Sequence, residues 1–96
     1  MLMLVTYDVK TETPAGRKRL RRVARICLDF GQRVQNSVFE CEVDPAQWAV
    51  LRARLIEEIV PEEDSLRFYR LGADGHSKVE HLGSKSVLDL DGPLVF

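Results

Sequence analysis

Gln32-Arg33-Val34-Gln35-Asn36-Ser37-Val38-Phe39-Glu40-Cys41-Glu42-Val43 is the stretch on which the fold turns, because its apolar residues alternate in two different phases. Val34 precedes the polar pair Asn36-Ser37, and Phe39, Cys41 and Val43 follow it with the opposite parity. Side chains of a strand alternate faces with a period of two, so a phase change across a polar pair marks a tight turn or bulge. Two short strands are therefore predicted here.

Upstream, Leu2 to Val9 is apolar and aromatic, too short for a helix, and reads as a central strand covered on both faces, with Asp8 at its C-terminal end. Lys10 to Thr13 is a polar loop, and Thr13-Pro14 supplies a cap followed by a first-turn proline. From Pro14 to Asp29, Leu20, Val23, Ala24 and Cys27 recur at helical spacing, and Gly31 suits a left-handed stop. Gly16 implies either a loose first turn or a close approach to a partner.

Downstream, Asp44-Pro45 repeats the cap and proline, and Trp48, Leu51, Leu55, Ile56 and Ile59 make the apolar stripe of a second helix ending before Pro61. Ser65 to Leu71 reads as a strand, Gly72 to Ser77 as a turn or loop, and Val79 to Leu82 as a further short strand. The alternating piece Val87-Leu88-Asp89-Leu90 cannot pack alone and is expected to add to a sheet edge or to swap onto a second subunit.

The order strand, helix, strand, strand, helix, strand predicts an α+β, ferredoxin-like βαββαβ fold with an extra C-terminal strand. Its antiparallel sheet carries both helices on one face. Residues 1–83 form the single domain and residues 84–96 a tail. Ninety-six residues support only one core. The bare sheet face is most simply buried against a symmetry mate, which predicts a homodimer.

Hydrophobic content of 45% and charged content of 30% describe a globular chain rather than a disordered one. The formal net charge is only -1, yet six of the nine residues from Arg17 to Arg25 are basic. Residues 1–35 sum to +5 and residues 36–96 to -6. The slightly acidic overall balance argues against indiscriminate coating of nucleic acid, but a basic face can still bind phosphates; the bland alternative is a solvated helix. Cys27 and Cys41 lack metal or redox spacing and read as buried thiols of a reducing compartment. The N-terminal apolar run is cut at Asp8, so neither a leader nor a membrane span is expected, and a cytoplasmic location is.

Taken alone, Asp8 is a strand-end carboxylate that caps a loop or pairs with Lys10 or an arginine. Tyr7 reads as a sheet residue, and Phe39 as core or a dimer-interface aromatic rather than a stacking platform. Ser37 is a turn former with no histidine nearby in sequence to activate it, so it is assigned a hydrogen bond to phosphate at most. His76 and His81 lack ligand spacing and are assigned no role.

Val5-Thr6-Tyr7-Asp8-Val9, Arg17-x-Arg19, Gln32 to Glu40 and Phe68-Tyr69-Arg70-Leu71 together resemble the CRISPR-associated protein 2 family. The resemblance covers residues 1 to about 83 in order. It implies a dimeric protein of antiviral spacer acquisition, in two roles: a metal-dependent endonuclease cutting RNA or DNA at a dimer-interface site, and a partner of the CRISPR integrase. It makes Asp8 the catalytic and metal-binding residue, reversing the bland reading, with Mg2+ or Mn2+ as cofactor. Arg17, Arg19, Arg33 and Ser37 become nucleic-acid-binding residues, with Tyr7 and Phe39 supporting the site or dimer. Arg22, on the same basic helix, joins the grip, and either Arg17 or Arg19 is the family's functional match.

One Asp8 per chain suffices if a two-fold axis brings two copies together, because Mg2+ is often held by one or two carboxylates plus phosphate oxygens. The competing reading is a non-catalytic dimeric scaffold that holds double-stranded DNA between integrase subunits. A third is a toxin-like ribonuclease of messenger RNA.

Overall fold

The computed structural model of the chain describes residues 1–72 and 77–84. The elements follow in the order β1 (Leu2–Asp8), α1 (Pro14–Leu28), β2 (Gln32–Gln35), β3 (Val38–Glu42), α2 (Pro45–Glu58), β4 (Ser65–Leu71) and β5 (Ser77–Gly83). The sheet order is β2-β3-β1-β4-β5. Every pairing is antiparallel, which makes the expected βαββαβ arrangement with β5 added as a hairpin beside β4. The added strand begins two residues before the apolar run Val79 to Leu82. The strand expected at Val87–Leu90 lies outside the described residues.

Local chemistry sets each boundary. Thr13 caps α1 by accepting a hydrogen bond from the Gly16 N–H at 3.0 Å, and Pro14 opens the helix. Asp44 and Gln47 form a reciprocal capping box at the start of α2. The phase change at Asn36-Ser37 is the turn between β2 and β3, and the register slips between Arg33 and Gln35. Gly16 is buried, and a Cβ there would run into the Lys10 carbonyl, so packing against the chain's own β1–α1 loop is what demands glycine. Gly31 corrects the expectation of a left-handed stop: Gly83 has the only positive φ among the described residues. A Cβ at Gly31 would meet the Glu40 carbonyl, and that crowding against β3 is what demands glycine.

Alternation along β1 sends Met3, Val5 and Tyr7 to one face of the sheet and Leu4, Thr6 and Asp8 to the other. On the first face Val5, Phe39, Cys41, Leu66 and Phe68 pack with Val23, Ile26 and Cys27 of α1 and Leu51 and Leu55 of α2. Trp48 meets Phe68 edge to face with ring centroids 4.9 Å apart. The opposite face carries a smaller cluster of Leu4, Val38 and Tyr69, with Leu71 at its margin. Val34 and Val79 add exposed apolar surface.

Cys27 and Cys41 are free and wholly buried. Burial pushes the Cys27 thiol up to about 12, helped by the neighbouring Cys41, which burial raises to about 11. Neither forms a thiolate near neutrality, and the thiolate is the reactive species. An aromatic disulfide titrant at pH 8 is therefore expected to find no reactive thiol in the native protein and two after denaturation. Rapid native labelling would refute the buried placement.

Candidate functional site

Asp8 is the last residue of β1 and is exposed. It pairs across the ladder with Ser65, while Thr6 opposes Arg67 and Arg67 opposes His81. Thr6, Tyr7, Asp8, Ser65, Arg67 and His81 line a depression of about 180 Å³. Arg67 Nη1 donates to the Tyr69 hydroxyl at 3.0 Å, which holds the arginine along the sheet. The β2–β3 turn lies at the same end of β1, because the Tyr7 N–H donates to the Ser37 carbonyl at 3.2 Å. A second depression of about 470 Å³ is lined by Gln35, Asn36, Ser37 and Val38. The structure therefore brings Asp8 and Ser37 to one end of the sheet.

Tyr7 and Phe39 stack beneath that end, 6.1 Å between centroids, and the Arg33 guanidinium lies 5.1 Å from the Phe39 ring. Phe39 is fully buried and Tyr7 nearly so, among core residues on the helix side. Phe39 thus takes the core alternative of its two expected roles, and these aromatics support the strand end from below rather than meeting a second copy. Burial first, and then Cys27, raises the Tyr7 phenol above its usual value against the opposing influence of Arg33. The phenol is neutral at physiological pH and supplies no general base.

The arginines of α1 separate into two groups. Arg19 Nε donates to Asp64 Oδ2 at 2.8 Å, and Nη2 donates to Asp64 Oδ1 at 3.2 Å and to Glu63 Oε2 at 3.0 Å. Its side chain is only 13% exposed. Arg19 is thus held as a strut between two carboxylates, with its fork turned to Asp64 and Glu63 rather than to solvent. Arg17 is exposed and donates through Nη1 to the Thr11 carbonyl at 3.1 Å. Of the two alternatives at Arg17-x-Arg19, the geometry leaves Arg17 accessible.

Lys18, Arg21, Arg22, Arg25 and Arg54 line the groove between α1 and α2, about 650 Å³ in volume, together with Ile26, Glu57 and Glu58. Arg22 lies 3.4 Å from Glu58 and Arg54 lies 3.1 Å from Asp29. Lys18, Arg21 and Arg25 form no ion pair with a described residue. The groove lies in the helix layer, whereas Asp8 is on the other face of the sheet. The basic run and the carboxylate are thus separate features, although they are close in sequence.

Asp64 is the residue that sequence reasoning passed over. It is completely buried. Besides Arg19, its carboxylate accepts from the Lys10 N–H at 3.1 Å and the Val60 N–H at 3.0 Å. Its own carbonyl accepts from the Ser84 N–H at 3.0 Å. Burial works to raise its pKa, but the hydrogen bonds from Arg19, Val60 and Lys10 and the arginine charge outweigh it and hold the carboxyl below its usual value. The only available signal was an acid just before a strand, Glu62-Glu63-Asp64, which is more often a solvated turn. His81 was also missed, and sits in the Asp8 depression.

Among the described residues, no three His, Cys, Asp or Glu side chains converge on a common point. The depression offers a hard divalent cation one carboxylate, with Thr6 and Ser65 beside it and Arg67 and His81 in the same lining, so water and substrate oxygens would have to complete the shell. Among the described residues, no helix is long and apolar enough to cross a membrane.

Residues 1–79 match the family model described as CRISPR associated protein Cas2. The CRISPR-associated endoribonuclease Cas2 of Chlorobaculum tepidum is 62% identical over 95 residues, covering 99% of either chain. The CRISPR-associated endonuclease Cas2 of Halalkalibacterium halodurans is 55% identical over 96 residues, with full coverage of both. Among solved structures, Streptococcus pyogenes Cas2 at pH 6.5 superposes with a TM-score of 0.70 at 64% identity, over 75% of this chain and 87% of that one.

Proposed function

The chain belongs to the CRISPR associated protein Cas2 family, and from that premise we propose that it is a divalent-metal-dependent endonuclease acting on RNA or DNA in the spacer-acquisition arm of antiviral defence. The observation that carries this reading is Asp8, an exposed carboxylate ending the central strand in a polar depression on the sheet face that the helices leave bare. Leu4, Val38, Tyr69 and Leu71 on that face favour a homodimer that buries it. Two copies of Asp8 would then face a common cleft.

Asp8 would hold Mg2+ or Mn2+, which when bound supplies an acidified water and polarises a phosphate oxygen. Thr6 and Ser65 contribute hydroxyls beside it, and the Tyr7–Phe39 stack keeps the strand end rigid. With one carboxylate, Asp8→Asn is expected to lower Mg2+-stimulated cleavage of a labelled strand at least about a hundredfold, the scale on which a site's principal charged group acts. Unchanged cleavage by the highly purified variant would place the activity elsewhere.

A second reading is favoured by the groove of Lys18, Arg21, Arg22, Arg25 and Arg54, which lies apart from Asp8 and suits a duplex backbone. In that role the dimer is a DNA-holding scaffold for the CRISPR integrase, and spacer acquisition survives Asp8→Asn. An acquisition assay with this variant separates the two readings; loss of acquisition would make the chemistry essential.

A further inference from the structure

Asp8 stands where the β1–β4 ladder runs out, because its pairing with Ser65 is the last of that register. A strand end frays when no further bond holds it. Two residues on, a side chain takes the place of the ladder: the Lys10 N–H donates to Asp64 Oδ1 at 3.1 Å. Asp64 also directly precedes Ser65. One buried residue therefore grips Asp8 both along its own strand and from the neighbouring one.

That grip is closed on every side. Oδ1 of Asp64 accepts from Lys10 and Arg19 Nη2, and Oδ2 from Val60 and Arg19 Nε. These bonds fill the roughly four acceptor positions of a carboxylate. The Asp64 N–H donates to the Val60 carbonyl at 2.8 Å, and its carbonyl accepts from Ser84. From β5, Gly83 presses on the same point, since a Cβ there would meet the Asp64 carbonyl and the Ser65 Cα. Stability alone does not call for this arrangement, because apolar residues of similar volume often serve as well as a buried ion pair. An apolar residue, however, cannot accept from Lys10. An asparagine offers one acceptor oxygen and sets its NH2 against donors.

We propose that Asp64 is a positioning residue for Asp8: acting through Lys10 and Ser65, it fixes where the Asp8 carboxylate stands at the end of the sheet. The consequence for cleavage rests on the reading of Asp8 as the metal-holding residue, whereas the fixing of its position does not. Misplacing a reacting group by about 1 Å costs on the order of a hundredfold in rate. Asp64 should therefore matter to cleavage although its side chain, wholly buried, reaches neither strand nor solvent.

The test compares the full-length wild type, Asp64→Asn and a ligated chain carrying the α-hydroxy analogue of Lys10, in which an ester oxygen replaces only the N–H. Each is studied at a temperature where its melt shows it folded. The readouts are the Asp8 13C-carboxyl resonance in EDTA, the Mn2+ affinity by electron paramagnetic resonance, and kcat and KM for a labelled strand in Mg2+. Both altered chains should shift the Asp8 resonance and weaken Mn2+ roughly tenfold, the scale of one hydrogen bond to a charged group. They should lower kcat by about ten- to a hundredfold with little change in KM, as expected when positioning rather than strand binding is lost. A Lys10 ester that melts lower but keeps the wild-type Asp8 resonance, Mn2+ affinity and kcat would overturn the proposal, because Asp64 would then only hold the fold. If Asp8→Asn kept full Mn2+ affinity and cleavage while the ester still shifted the Asp8 resonance, the metal-holding reading would fall and the positioning of Asp8 by Asp64 would stand.

Discussion

Asp64→Ala is expected to destabilise the fold by about 3–5 kcal/mol, the usual result of removing one member of a buried ion pair. The substitution leaves Arg19 with Glu63 as its one remaining carboxylate among the described residues and takes the acceptor from the Lys10 and Val60 amides. For a domain of this size such a loss lowers Tm by more than about 10 °C. Asp64 joins the β1–α1 loop, α1 and the turn before β4, and its carbonyl holds the residue after β5. The damage should therefore spread through the sheet end that carries Asp8. Thermal melts at a fixed protomer concentration check it, because self-association of the kind proposed would make Tm concentration-dependent. Arg19→Met should cost less, since Asp64 keeps two backbone donors. A melt of Asp64→Ala within about 1 kcal/mol of wild type would remove Asp64 from this role.

The same carboxylate sets an acid limit. Its folded pKa lies below the ordinary value, so the unfolded chain takes up the proton first as pH falls. The contribution is complete above the unfolded value of about 4 and disappears as pH drops through the lower folded value. Above roughly pH 5 it gives stability no slope. A variant lacking Asp64 should show a shallower loss of stability in acid.

Lys18→Glu, Arg21→Glu and Arg25→Glu combined are expected to weaken duplex DNA binding on the order of a thousandfold near physiological salt. Each cation that neutralises a phosphate releases condensed counterion, so three lost contacts should flatten the slope of log affinity against log salt by roughly 2.7 per protomer. These three line the α1–α2 groove and form no ion pair with described residues, whereas Arg19, Arg22 and Arg54 already face carboxylates. Arg19→Glu is not an equivalent probe, since its first effect would be on folding. A triple variant that folds and keeps its affinity and salt slope would move the DNA to another surface.

The elements were legible because their signals are local. Thr13-Pro14 and Asp44-Pro45 mark both helix starts, the phase change at Asn36-Ser37 marks a hairpin, and the element order specifies the fold class. Gly31 shows the limit of that approach. A glycine after a helix ordinarily signals a left-handed stop, but here the constraint comes from a carbonyl on another strand. Asp8 was legible as an exposed strand end, and nothing near it in sequence disclosed Ser65, Arg67 or His81 as its neighbours.

By itself the sequence determined the order of strands and helices, both helix starts, the family, and the concentration of positive charge on α1. Periodicity, capping and composition act over a few residues, so they can be read in one dimension. Only the tertiary structure decided which arginine is a strut and which are accessible, that Tyr7 and Phe39 lie beneath the sheet, and that the basic groove and Asp8 lie on different layers. Each outcome depends on a partner brought from far along the chain, as Asp64 is to Arg19 across 45 positions. A charged side chain's role is set by whether burial commits it to such a partner or leaves it to solvent and ligand.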